Sequence, residues 1–248
     1  MARAVPGDAL REMTRVRDLW ARPAEALART RSGLAGGPDE AADLGRTVDA
    51  VAGALFLLAD ERRRASVDSL QFPVYAGPDS PDETRKHVAQ KVSAWARSRT
   101  AAIVAVTPEY EKILALEPAS AFWSSAARAR VAMMWGDFVD AFRKAPVPRE
   151  WSQATAVRGA WYDAVDGVSE PIQQNRAKPA MKECLGTSRS LGVLTPYTRD
   201  CEAWLAAHYK AEYHVLDELR PGNTLDGSAR SDLPRPAQIG GVTTPWGY

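Results

Sequence analysis

Tyr110-x-x-Ile113-x-x-Leu116-x-Pro118, followed by Gly136-Asp137-Phe138-Val139-Asp140-Ala141-Phe142, is the stretch that decides the fold. The first run reads as a helix end: an aromatic, an aliphatic three residues on, and a proline that removes a backbone donor and stops the helix. The second run reads as the close of a further helix, with Gly136-Asp137-Phe138 as a corner before the small Ala141 and the aromatic Phe142. Between them Ser120 is placed to cap, and Phe122, Ala126, Ala129, Met133, Phe138 and Phe142 fall on one face. Ala126 and Ala129 are small enough to let a neighbouring helix approach closely. Ala145-Pro146-Val147-Pro148 ends this element.

Working outward, the same helical period continues and no alternating run marks a strand, so the chain reads as all-α. An amphipathic segment from about Gly7 to Leu34 carries Leu10, Met13, Val16, Trp20 and Leu27, and Gly36-Gly37-Pro38 stops it. Residues 1–36 are expected to be loosely attached. A second segment, 38–70, spaces Leu44, Val48, Val51, Leu55 and Leu58 along one face, and Arg62-Arg63-Arg64 at its end suits the helix dipole as a solvated terminus. Gln71-Phe72-Pro73-Val74-Tyr75-Ala76-Gly77-Pro78 has two prolines and a glycine, which makes 71–79 an extended linker.

Ser80-Pro81-Asp82-Glu83 then reads as an N-cap, a first-turn proline and a capping-box glutamate. Val88, Val92, Trp95 and Ile103 line one face up to Thr107-Pro108, where the helix either kinks or restarts. Ser152 to Gly192 reads as a long helix or two collinear ones, interrupted by Gly167 and Pro171, with a kink near Pro171 and Trp161, Val165, Ile172, Met181 and Leu185 inward. Gly192 closes it, and Thr195-Pro196 opens a last helix from Tyr197 to about Tyr213. The helical domain thus spans 80–218, and 219–248 is a Pro/Gly-rich tail expected to be disordered.

Lys and Arg total 32 against 31 Asp and Glu, so no global field attracts nucleic acid. The longest apolar run, Val48 to Ala59, is too short for a membrane span. The chain opens without the apolar core of a secretory signal, which leaves a cytoplasmic protein and a piece of a longer one both open.

The aromatic–aliphatic–proline spacing and the Gly-Asp-aromatic run resemble the tetratricopeptide repeat, which implies helical hairpins or an irregular α-solenoid. The order of Phe72-Pro73-Val74-Tyr75-x-Gly77-Pro78, the helix ending Asp140-Ala141-Phe142, Leu191-Gly192-Val193 and Leu219-Arg220-Pro221 resembles the C-terminal region of large myxobacterial cell-envelope repeat proteins. The resemblance covers roughly Val67 to Pro221. It implies a scaffold of the gliding-motility type in the periplasm or cell envelope. Here Leu194-Thr195-Pro196-Tyr197 stands where that family has an Asn-Glu-Trp helix start, and the upstream repeats are missing.

Cys184 and Cys201 lie about 8 residues on either side of the Gly192–Thr195 turn, so about 12 Å along each arm of a hairpin. They either form a disulfide or pack as two small apolar residues. His208 and His214 lack a third ligand at metal-binding spacing, and His87 in Arg85-Lys86-His87 reads as a solvated surface residue. No nucleophile elbow or phosphate loop occurs.

The expectation is a non-catalytic protein-interaction scaffold with no cofactor and no metal. Tyr110, Ile113, Pro118, Gly136, Phe138, Ala141 and Phe142 are its repeat-packing residues, and Trp123 and Trp135 its partner anchors. Self-association through an exposed repeat flank is a further expectation. The alternative is a helical domain with an enzymatic or small-ligand pocket that only echoes repeat spacing.

Overall fold

Ser120 sets the central helix. Its Oγ accepts the Trp123 N–H at 3.4 Å, which satisfies one of the free amides of the first turn, and α6 runs from there over Ala121–Arg143. Residues on every side of α6 are buried, among them Ser125, Ala129, Ala132, Trp135, Phe138 and Phe142. A helix buried all round must have neighbours all round.

The computed structural model describes residues 6–35, 37, 39–148, 151 and 154–214. The expected tail, 219–248, and the end of the expected 80–218 domain lie outside the described residues. Among the described residues the chain is all-helical and has no strand. In order come α1 (Gly7–Leu19), α2 (Pro23–Leu34), α3 (Glu40–Arg63), α4 (Pro81–His87), α5 (Ser93–Leu114), α6, α7 (Thr155–Ile172), α8 (Lys178–Ser190) and α9 (Pro196–His208). One-turn π segments prolong α3 to Asp68 and join α4 to α5 and α7 to α8. The last follows Pro171, whose missing N–H breaks the i→i−4 ladder.

Helices α3, α5, α7, α8 and α9 all pack on α6, and one continuous core runs from Leu44 to Leu205. Its largest fully buried members include Trp151, Trp161, Tyr110, Phe138 and Ile113. Burying each such side chain contributes about 1.5–3 kcal/mol.

Several local expectations change. The segment read as one helix over 7–34 is two, because Pro23 sits at N1 of α2 and restarts the chain. No residue of α1 is buried, and Ala26 is the buried residue of α2. Pro108 lies inside α5 without a restart, and the Thr107 hydroxyl donates to the Ile103 carbonyl instead of capping. Ser80 is the N-cap of α4, but its side chain makes no cap bond; Thr84 donates to the Pro81 carbonyl instead.

Gly136-Asp137-Phe138 is no corner, since α6 passes through it unbroken. Glycine is needed there for close approach: a Cβ at Gly136 would lie 2.5 Å from Met181 Cε and 3.0 Å from Trp204 Nε1. Phe122, placed inward by periodicity, is 44% exposed.

The α8–α9 turn follows its sequence. Gly192 takes a positive φ of 65°, and the Val193 N–H reaches back to the Ser188 carbonyl. Thr195 and Thr198 form a reciprocal capping box at the start of α9, which ends at His208 instead of Tyr213.

Candidate functional site

The segment read as a linker is a strap tied down at both ends and in the middle. The Trp95 indole N–H and the Arg99 Nη1 both donate to the Leu70 carbonyl, at 3.1 and 3.3 Å. His87 Nε2 donates to the Pro73 carbonyl at 3.2 Å, and Trp151 Nε1 donates to Asp79 Oδ1 at 2.6 Å. Phe72 sets its ring edge-on to Trp95 and Phe142, while Tyr75 is buried against Trp151 and Trp161. The Tyr75 hydroxyl folds back to the Pro78 carbonyl over Gly77, where a Cβ would come within 2.6 Å of it. His87 is therefore half-buried and holds the strap; the surface role expected for it is wrong, because Pro73 leaves a carbonyl pointing at the α4 face.

The strap's outer side is bare. Val74 is 61% exposed, and the main-chain N–H groups of Gln71, Val74, Ala76 and Gly77 have no partner among the described residues. Two open grooves flank it. One, of about 450 Å³, lies toward α4 and is lined by Val74, Ala76, Glu83, Lys86, Gln90 and Lys91. The other, of about 420 Å³, lies toward α5 and α6 and is lined by Arg63, Asp68, Phe72, Arg99, Asp137 and Lys144.

Behind the second groove sits a buried ion cluster. Asp60 on α3 accepts the Tyr110 hydroxyl at 2.6 Å and Arg63 Nε at 3.3 Å, and pairs with Arg130 Nε at 3.1 Å. Burial first, then the Asp60 charge, raises the Tyr110 pKa far above the ordinary phenol value. Burial works against the Arg63 charge, but Asp60 and Asp68 outweigh it and hold its pKa above the usual guanidinium value. Arg63 thus leaves the solvated charge run expected of Arg62-Arg63-Arg64: its side chain is only 12% exposed and bridges Asp60 and Asp68.

Two other polar groups are similarly occupied. Ser125, Ser188, Thr195 and Thr198 share buried hydroxyl contacts of 2.6 to 3.4 Å that fasten the α8–α9 turn to α6. His208 Nε2 donates to Asp140 at 3.1 Å while its ring stacks on Trp204. That bond, with Lys144, holds the Asp140 carboxyl down at about 2 against its partial burial.

Of the expected site residues, Tyr110, Ile113, Gly136, Phe138 and Phe142 are buried near α6, Ala141 is half-buried, and Pro118 is exposed. Trp135, expected as a partner anchor, is 7% exposed and packs on Phe138 and under the Arg176 guanidinium. Trp123 is half-buried between Gly53, Phe56 and Phe122. Cys184 and Cys201 are joined across the α8–α9 hairpin with their Cα atoms 6.6 Å apart.

Asp60, Arg99 and Arg130 were not read from the sequence. Asp60 carried a signal: it sits four residues after Phe56 on the apolar face of α3, where a lone carboxylate needs partners.

No family model, curated protein or solved structure matches this chain. Among the described residues no three His, Cys, Asp or Glu side chains gather to hold a metal ion, and no helix is long and apolar enough to cross a membrane.

Proposed function

We propose that this chain is a non-catalytic scaffold that holds a segment of another protein along the strap, on a frame of tetratricopeptide-like helical hairpins. The observation that carries the reading is the strap's bare outer side. Gln71, Val74, Ala76 and Gly77 offer unpaired main-chain donors at the surface, and their backbone is fixed from behind by Trp95, Arg99, His87 and Trp151. A preordered backbone loses little entropy when a partner chain pairs with it, and the α4-side groove with Lys86, Gln90 and Lys91 supplies side-chain selection.

The burial of Tyr110, Ile113, Phe138 and Phe142 where α5 meets α6 supports the repeat-like frame. Because α6 also touches α3, α7, α8 and α9, the binding surface of this proposal is the strap and not a concave helical face. Placement in a cell-envelope assembly is part of the same proposal, supported by the paired cysteines, which persist in oxidising compartments.

The test is a photo-crosslinking residue at Val74 in living cells, with one at the exposed Tyr162 of α7 as control. The reading expects one protein joined from position 74 and not from 162, with the yield cut by Ala76→Pro, which deletes a strap donor. The same products from both positions would defeat it.

A further inference from the structure

The groove on the α5–α6 side holds two opposite charges that the protein leaves apart. Its other charged groups are engaged: Arg63 with Asp60 and Asp68, and Lys144 with Asp140. Arg99 and Asp137 line the same groove, and neither has an opposite charge within 4.0 Å among the described residues.

Arg99 cannot swing to close the gap. One guanidinium nitrogen is bonded to the Leu70 carbonyl, and the group lies 5.6 Å from the ring centres of both Trp95 and Phe138. Its Nε is buried and has no hydrogen-bond partner. Asp137 has a short side chain on α6 and forms no ion pair with Arg99. Burial lowers the Arg99 pKa, opposed first by Asp137 and then by Asp68, so the guanidinium is a desolvated cation that an arriving anion would stabilise.

We infer that this groove is a binding site for a small zwitterion, whose carboxylate pairs with Arg99 and whose ammonium pairs with Asp137. Phe72 and Ala141 supply an apolar wall for the methylenes between the two charges. A volume of about 420 Å³ falls within the range of small-molecule pockets, roughly 300–1,000 Å³. The site lies on the opposite side of the strap from the α4-side groove and does not depend on the partner reading.

The experiment uses the full chain and follows the Trp95 indole N–H by NMR, since that proton shares the Leu70 carbonyl with Arg99. The probes are 4-aminobutyrate, 6-aminohexanoate, butyrate and butylammonium. The expected result is saturable movement of the indole signal by at least one ω-amino acid, with butyrate and butylammonium binding about tenfold more weakly for want of the second ion pair. Asp137→Asn, a change at an exposed position, should reduce the ω-amino acid to the affinity of butyrate. Equal binding of butyrate and the ω-amino acids, or no movement with any probe, overturns the inference. Tighter binding of a blocked Glu-Lys dipeptide would assign the groove to a protein segment and overturn the small-molecule assignment.

Discussion

The Tyr110 hydroxyl of α5 donates to Asp60 Oδ1 of α3 at 2.6 Å, inside the core and next to Arg63 and Arg130. The arrangement makes the carboxylate the pivot of three helices, because removing it would strand the largely buried Arg130 guanidinium and the Tyr110 hydroxyl and leave Arg63 with Asp68 alone.

Asp60→Ala should therefore cost about 3–5 kcal/mol, and Tyr110→Phe only about 1–3 kcal/mol, since the phenylalanine leaves Asp60 its arginine partners. Chemical denaturation at neutral pH measures both. The Tyr110 pKa is raised in the folded state, so its contribution is complete below the unfolded value of about 10 and is lost as pH rises beyond it. The stability gap between the parent and Tyr110→Phe should accordingly narrow in alkali. A gap that widens there would mean the hydroxyl is not buried as described.

Such a network also marks where sequence reading stops. Ser120, Gly192 and Thr195 could be placed from the sequence because caps and positive-φ turns are settled by residues a few positions apart. The 71–79 break was legible for the same reason, through its prolines. What holds that strap was not: His87, Trp95 and Arg99 meet it only after α4 and α5 fold back, and no local spacing encodes that. Gly136 was read as a corner because glycine commonly marks one. Whether it instead admits Met181 and Trp204 depends on helices 45 or more residues away.

Gly136→Ala tests that reading through its dependence on Met181. In the parent the new Cβ meets Met181 Cε at 2.5 Å and Trp204 Nε1 at 3.0 Å, both deep in the core, and overpacking of this kind costs about 1–3 kcal/mol. In a Met181→Ala background the 2.5 Å obstruction is gone and the Trp204 contact remains, so the same change should cost about 1 kcal/mol less than in the parent. Urea midpoints of the four proteins decide it; an equal cost in both backgrounds would refute the close approach of Met181.

The Cys184–Cys201 crosslink closes a loop with a sequence separation of 17, for which the chain-entropy model gives roughly 3 kcal/mol. Cys184→Ser with Cys201→Ser should lower the denaturation free energy by about that amount, and reductant should do the same to the parent but not to the variant. Thiol titration on protein taken from its native cells extends the test to location. Two unreactive cysteines that become reactive on reduction agree with the envelope proposal, while two free thiols would move the chain to a reducing compartment.

Asp140 lies where α6 meets the end of α9, and its carboxyl accepts from His208 at 3.1 Å and from Lys144 at 3.1 Å. The His208 bond is the largest cause of its depression to about 2. A carboxyl whose pKa is lowered in the folded state contributes stability above the unfolded value of about 3.9 and loses it as pH falls through the folded one. The contact between α9 and α6 should therefore weaken between about pH 4 and 2, with Trp204, stacked on His208, as the reporter. His208→Phe keeps a ring on Trp204 but removes the donor, so the Asp140 pKa should rise toward the ordinary value while Lys144 still restrains it. Carboxyl-carbon NMR titration of Asp140 reads this directly. If the titration is the same in both proteins, His208 does not hold the carboxylate, and the acid sensitivity of this corner must come from elsewhere.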